Sequence, residues 1–357
     1  MKIVVYRTGN LGDTVCAIPA FRLIRERYPE AELTFLCDRP NEGNVGAVSV
    51  VSRLGLFDQI ETYRSAGKLA SLYQLFRASK RVQPDMLICL TQNAEPRRSL
   101  RYKELFFRWS GIRDVRGFEL AKDCGTAELN EPARLIRILN QCGISGPKPA
   151  YAIPVESSAQ AAAHKALISA GVEPSAPFAV FCGGGKFPVQ HWPLERYAQV
   201  IRSVQEKYDW PIIALGSPSE LALYKETMHE SCRELVFLDA HLDIAAMFEL
   251  FRCATVYIGN DTGPMHVAAA VGCPVVTVMS ARDAPGAWYP DVQPRLFMRN
   301  RVDCEKCYLS ACITEKHRCL LDISADRVIS ALLPFLQSLP LRMDANKSQC
   351  TTKVARK

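Results

Sequence analysis

KIVVYRTGNLGDTVCAIPA, residues 2–20, reads in three parts. KIVVY is apolar and β-branched and predicts a buried strand. From residue 14 the apolar spacing becomes helical and predicts a helix over 14–28. Between the two lie Gly9, Gly12 and one carboxylate, Asp13. A strand that turns through glycines into a helix is the opening step of a doubly wound α/β sheet. The turn is not a Walker loop, which needs Gly-Lys-Ser/Thr, and it is not Gly-x-Gly-x-x-Gly. Asp13 suits a helix N-cap, a role Asp often fills. It also suits a proton acceptor. Pro19 lacks a backbone donor and should kink the helix or restart it.

Outward from this stretch the same grammar continues. AELTFLC (31–37) and PDMLICL (84–90) read as further strands separated by helical segments, which implies a parallel sheet. SGPKPAYAIPVESS (145–158) breaks the periodicity and reads as a linker. After it come a strand ending in glycines (PFAVFCGGG) and an amphipathic helix (LERYAQVIRSVQEKY). Strands PIIALGS and ELVFLDA follow, then the helix DIAAMFELFRCA. VYIGNDTGP then runs as a strand into a turn, before the short helix MHVAAAVG and the strand PVVTVMS. Two tandem Rossmann-like domains are expected, over 1–150 and 158–339. The polar, basic tail at 340–357 is expected to be disordered.

At 357 residues, with 48% hydrophobic and 23% charged residues, the chain has the composition of a globular protein of two domains. The apolar run at 3–6 is too short for a signal peptide. The run at 267–279 contains Gly272 and Pro274 and is too short to span a bilayer. A cytoplasmic protein is expected. Residues 1–150 carry 23 Lys/Arg against 16 Asp/Glu, whereas the remainder carries 21 of each. The whole +7 surplus therefore lies in the first half, where it either attracts an anionic partner or serves solubility alone.

Four segments could carry chemistry. The first is the turn with Gly12 and Asp13. The second is GNDTGPMH (259–266), where a turn opens a helix whose N–H groups can hold a phosphate. Asp261, Thr262, Gly263 and His266 are its candidates, although the same residues also suit a plain turn. The third is CGGGKFPVQHWP (182–193), in which Gly183 and Gly184 permit close backbone approach and Lys186 carries charge. Its alternative is a flexible loop with a solvated lysine. The fourth is RRSLRYKELFFRWSGIRDVR (97–116), with seven basic residues among aromatics. Arg97, Arg98 and Arg101 there could grip an anionic acceptor or an anionic membrane, or form an ordinary solvated helix face. Of 14 cysteines, nine are scattered from Cys16 to Cys273 and read as small buried hydrophobes. Cys304, Cys307, Cys312 and Cys319 form a cluster that could hold zinc or iron, or pack as free thiols.

RTGNLGDTVCAIPAFRLIRERYPEAELTFL, GGGKFPVQHWPLERYAQV, GNDTGPMHVAAAVGCPVVTV and the Cys-rich segment, in this order, resemble glycosyltransferase family 9, the lipopolysaccharide heptosyltransferase family. The resemblance covers residues 1 to about 335 and is weakest between 40 and 175. It implies a GT-B fold, with two Rossmann-like domains facing across a cleft, and an inverting transfer that needs no metal or other cofactor. It implies a nucleotide-sugar donor, ADP-heptose in the best-known members, and a lipopolysaccharide core or similar anionic glycan or glycolipid as acceptor. Nucleic acid is not an expected partner, and peripheral contact with the inner membrane surface is. By similarity Asp13 is the general base, Gly12 lies on the acceptor side, and the GNDTGPMH turn holds the donor. Family members commonly have Lys two residues before Trp-Pro, whereas this chain has Gln190. Lys186 then becomes the expected cation. A GT-B sugar-nucleotide epimerase or hydrolase, or a non-catalytic nucleotide-sugar-binding protein, would use the same scaffold.

Overall fold

The computed structural model describes residues 1–39, 46–64, 68–90, 96–118, 129–228, 235–238, 242–314 and 316–340. The chain forms two compact units. The first comprises Met1–Pro154 and takes back the short segment Ala284–Tyr289. The second comprises Val155–Asp283 and the chain from Pro290 onward.

In the first unit five strands run parallel: β1 (Lys2–Tyr6), β2 (Glu32–Asp38), β3 (Gln59–Tyr63), β4 (Met86–Cys89) and β5 (Asp114–Arg116). Their order is β3-β2-β1-β4-β5. Central β1 pairs Val4 with Thr34 on one side and with Leu87 on the other. Ile3 to Tyr6 are all buried, as expected of a parallel strand covered on both faces. The connections contain α1 (Leu11–Arg27), α2 (Ala47–Val51), α3 (Lys68–Val82) and α4 (Arg97–Trp109), and α5 (Glu131–Gln141) follows β5.

α1 begins three residues before the expected helix start and runs on through Pro19. Twelve of its 17 residues are buried, and that burial outweighs the roughly 3 kcal/mol cost of an internal proline. The early start moves Asp13 from the expected N-cap to the third helical position, and Asn10 becomes the cap. The basic-aromatic stretch 97–116 is not one helix. It ends as α4 at Trp109, and Arg116 joins β5, where it pairs with Asp114 at 2.7 Å. The linker runs without regular structure from residue 144. The Arg22 guanidinium ties it to α1 by donating to the Tyr151 carbonyl at 2.7 Å and to the Ala152 carbonyl.

The second unit opens with α6 (Ser157–Ser169). Its strands are β6 (Ala179–Cys182), β7 (Ile212–Ala214), β8 (Val236–Phe237), β9 (Val256–Asn260), β10 (Val275–Met279) and β11 (Arg295–Arg299). All are parallel, in the order β11-β10-β9-β6-β7-β8. α7 (Leu194–Tyr208), α8 (Pro218–Met228), α9 (Ile244–Cys253) and α10 (Gly263–Ala270) alternate with them, and α11 (Arg318–Leu321) and α12 (Ala325–Ser338) close the unit. α7 has the predicted bounds, because Tyr197, Val200, Ile201 and Val204 place one apolar stripe on the core. The core centres on Trp192, whose ring meets Tyr197 edge-on at 4.7 Å and whose indole N–H donates to the Ile323 carbonyl at 3.0 Å. The strand expected around 234–240 is only two residues long among the described residues. The tail expected to be disordered lies, beyond Pro340, outside the described residues.

Both sheets show the doubly wound order, in which the chain reverses direction beside the first strand of the unit. The switch point falls between β1 and β4 in the first unit and between β6 and β9 in the second. Ligands of open α/β sheets bind outside the carboxyl ends of the strands at such points.

Candidate active site

The turn after β1 sits at the first switch point. Asn10 donates its backbone N–H to the Asp13 carboxylate at 2.7 Å, which places one carboxylate oxygen in the helix cap. Gly9 has φ 137°, a conformation natural only to glycine, and donates to Asp38 at 3.3 Å. Behind the turn lies a buried charge network. Arg7, 1% exposed, donates to the Asp13 carbonyl and to the Leu90 carbonyl at the end of β4. It also pairs with Glu131 at 3.3 Å, and Glu131 pairs with Arg134 at 2.7 Å. Burial works against the Glu131 charge, but Arg134 and then Arg7 outweigh it and hold the carboxyl below its usual range. Arg7 thus fixes the backbone of Asp13 from beneath and leaves its side chain on the half-buried outer turn. α4 starts after β4, the strand next to β1, so Arg97, Arg98 and Arg101 begin at the same end of the sheet as Asp13. Arg97, Arg98 and Arg101 are exposed, and Gly12 is buried.

In the second unit the structure brings the two glycine-bearing motifs together. Asn260, fully buried at the end of β9, donates its amide to the Gly183 carbonyl and, at 3.3 Å, to the Gly184 carbonyl. Its amide oxygen accepts from the Tyr197 hydroxyl at 2.8 Å. Gly185 N–H donates to Glu220 at 2.8 Å, and the Gly185 carbonyl lies 2.8 Å from His191 Nε2. A Cβ at Gly184 would lie 1.9 Å from Glu220, and one at Gly185 would lie 2.6 Å from the Thr262 methyl. These glycines are therefore required by packing inside the protein. The segment is tied at each glycine, unlike the flexible loop of the alternative reading.

Lys186 follows this anchored backbone and is exposed, with Nζ 5.2 Å from the Phe187 ring centroid. The Arg282 guanidinium lies 4.4 Å from the same ring and pairs with Asp283 at 2.7 Å. Gln190 is half-buried in a short 3₁₀ turn, Pro188–Gln190. Thr262 is the N-cap of α10, but its hydroxyl lies 3.3 Å from the Tyr257 hydroxyl. Gly263 and Pro264 open the helix, and Pro264 removes one of the terminal N–H donors. His266 is 7% exposed with Nε2 3.5 Å from Asp261, so it meets a carboxylate of its own turn.

The cysteine cluster divides between the surface and the core. Cys304 is exposed, whereas Cys319 packs into the hydrophobic core. Burial, and then the nearby Cys304, Cys312 and Cys307 thiols, push the Cys319 pKa up. Cys312 lies 3.2 Å from the Thr314 hydroxyl, and that hydrogen bond lowers its pKa. Among the described residues no group of three or more His, Cys, Asp or Glu side chains is gathered to hold a metal ion. The zinc or iron expectation is therefore without support in this arrangement.

Sequence reading passed over Arg7, Glu131, Asn260 and Glu220. Arg7 and Asn260 each carried a signal: a polar side chain at the end of an apolar strand, at the entry to a glycine turn. Glu131 and Glu220 also have partners three residues away, but their contacts to Arg7 and Gly185 span 124 and 35 residues and left no local signal.

Residues 128–317 match the model of glycosyltransferase family 9 (heptosyltransferase). The chain belongs to this family. Lipooligosaccharide heptosyltransferase 2 of Haemophilus ducreyi is 23% identical to this family 9 glycosyltransferase over 357 residues, spanning 93% of this chain and 98% of the relative. Lipopolysaccharide heptosyltransferase 2 of Escherichia coli is 28% identical over 169 residues, 44% of this chain and 46% of the relative. Among solved structures, a family 9 glycosyl transferase from Veillonella parvula superimposes with a TM-score of 0.74 at 19% identity, covering 94% of this chain and 97% of its own. The ADP-heptose heptosyltransferase II of E. coli does so with a TM-score of 0.66 at 18% identity, covering 94% and 99%. These likenesses establish the GT-B fold for the family 9 chain. No helix among the described residues is long and apolar enough to cross a membrane.

Proposed function

We propose that this family 9 enzyme moves a heptose from a nucleotide-activated donor, ADP-heptose, to a hydroxyl of a lipopolysaccharide core on the cytoplasmic side of the inner membrane. One observation carries the reading. Each sheet has a turn at its switch point, with a carboxylate in one and a cation next to the glycine loop in the other. Asp13 takes the proton from an acceptor hydroxyl as that oxygen attacks the anomeric carbon. The bond from this carbon to the diphosphate oxygen breaks, and its electron pair leaves with the nucleotide. Attack opposite the leaving group inverts the anomeric centre. Lys186 and the α10 terminus offset the charge that develops on the diphosphate, so no metal is needed. Gly183, Gly184 and Gln190 lie on the donor side with Asp261, Thr262, Gly263 and His266. Arg97, Arg98 and Arg101 steer the anionic acceptor.

The test is turnover of ADP-heptose with and without a core acceptor, with the product anomer read by NMR. An inverted glycoside formed only with acceptor is the expected result. Release of free sugar without acceptor would point to a hydrolase, and donor binding with no turnover to a binding protein.

Two further outcomes are expected. Thr262→Ala and His266→Ala should each weaken ADP by about 10-fold or more, because a hydrogen bond to a charged group contributes roughly 1.5–3 kcal/mol. Adenosine should be affected much less. Calorimetry with both ligands decides this, and an equal loss for both would leave the turn a purely structural role. Protein purified without chelator should contain far less than one zinc or iron per chain, with a melting temperature that chelator does not change. Stoichiometric metal in elemental analysis would restore the cysteine cluster as a metal site.

A further inference from the structure

α3 and α4 lie on neighbouring connections of the first sheet and share an outer face. The Phe76 and Trp109 rings meet across them at 5.5 Å. Trp109 is nevertheless 76% exposed. Along α4 the exposed stripe continues through Leu105 (55%) and Tyr102 (66%) to Arg98, at the spacing of one helix face. Along α3 it runs from Leu72 (38%) and Tyr73 (63%) to Arg77 and Lys80. Of the twelve large hydrophobic side chains that are exposed among the described residues, five lie on these two helices. The cations border the rings: Arg77 lies 5.9 Å from the Tyr73 ring and Lys80 lies 5.5 Å from Phe76. The patch sits in the half of the chain that carries the entire +7 surplus.

We propose that the joint outer face of α3 and α4 is a docking surface for an anionic phospholipid bilayer. Tyr and Trp have an apolar body and a polar edge, which suits them to the headgroup level. Leu72 and Leu105 add apolar area that only an acyl boundary rewards. Arg77 and Lys80 meet lipid phosphates, attracted by the negative surface potential. A second copy is a poorer occupant, since a two-fold contact would set these cations against themselves. Single-stranded nucleic acid is also poorer, because Phe76 and Trp109 face each other rather than standing apart as base platforms.

The surface goes beyond the proposed reaction and does not depend on it. The full chain is mixed with vesicles of phosphatidylglycerol or of phosphatidylcholine and floated at low and high salt. Binding to phosphatidylglycerol at low salt, weakened by salt and absent with phosphatidylcholine, is the expected result. The Trp emission should shift to the blue on binding, and Trp109→Phe should remove the shift. A double variant, Leu105→Ser with Trp109→Ser, and a second, Arg77→Gln with Lys80→Gln, should each bind at least about 10-fold more weakly. Their side chains are exposed, so circular dichroism should be unchanged. No flotation with phosphatidylglycerol, or wild-type flotation of both double variants, overturns the proposal. So does a change in oligomeric state in the Leu105/Trp109 variant, or tighter binding to single-stranded DNA than to vesicles. Turnover with a soluble, deacylated acceptor is measured on the same samples. Turnover without flotation removes only the surface, and flotation without turnover removes only the transferase reading.

Discussion

Asp13→Asn is expected to lower turnover by about 10²–10⁴-fold, the usual contribution of a positioned general base. Donor affinity and melting temperature should hardly change, and the local structure explains why. Asp13 accepts the Asn10 N–H through a side-chain oxygen at 2.7 Å, and an asparagine amide oxygen can accept the same bond. Arg7 holds the backbone carbonyl of residue 13, which the substitution leaves in place. The variant therefore keeps the cap and the anchored turn and loses only the ability to take a proton. Steady-state kinetics with saturating donor, together with a thermal melt, separates the two roles. Near-normal turnover would reduce Asp13 to a capping residue. A large fall in melting temperature would mean that the lost charge supports the fold.

Lys186→Ala is expected to lower turnover by at least about 10²-fold, the effect of losing one well-placed electrostatic group. The leaving diphosphate gains negative charge in the transition state, and Gln190, where family members commonly carry lysine, can donate hydrogen bonds but no full countercharge. Asn260, Glu220 and His191 hold the loop before Lys186, so its Cα is fixed and only the side chain need move. Gln190→Ala should cost much less. Gln190→Lys should recover activity in the Lys186→Ala background by returning a cation at the family's usual position. The nearby Arg282 is the competing source of charge, but both of its close contacts with Asp283, at 2.7 and 2.8 Å, already neutralise it. Near wild-type kinetics in Lys186→Ala would leave the countercharge to the helix terminus and His266, and would weaken the transferase assignment.

Much of the architecture was legible in the residues. Ile3 to Tyr6 are buried without a break because a central parallel strand is covered on both faces, and an unbroken apolar run reports that directly. α7 kept its predicted bounds because one apolar stripe and an amphipathic period describe the same element. The start of α1 did not, because Leu11 and Gly12 looked like turn. The capping interaction between Asn10 and Asp13 recruits them into the helix. β3, β5 and β11 were passed over. β3 and β5 are short edge strands only partly buried, so their alternation is weak.

The sequence by itself determined the alternation of strand and helix, the two glycine turns with their acid and cation, the uneven charge and the family. These are local properties, carried by residues close together along the chain. Only the tertiary structure decided which groups meet at each turn. Parallel pairing places β4 beside β1 and β9 beside β6, and only then can Arg7 reach Leu90 and Asn260 reach Gly183. The same pairing revealed that Gly184 and Gly185 serve close packing against Glu220 and Thr262, and that His266 lies buried near Asp261. Periodicity reports how deeply each element is buried, one element at a time. A hydrogen bond between side chains 124 residues apart depends on strand order, which no local pattern encodes.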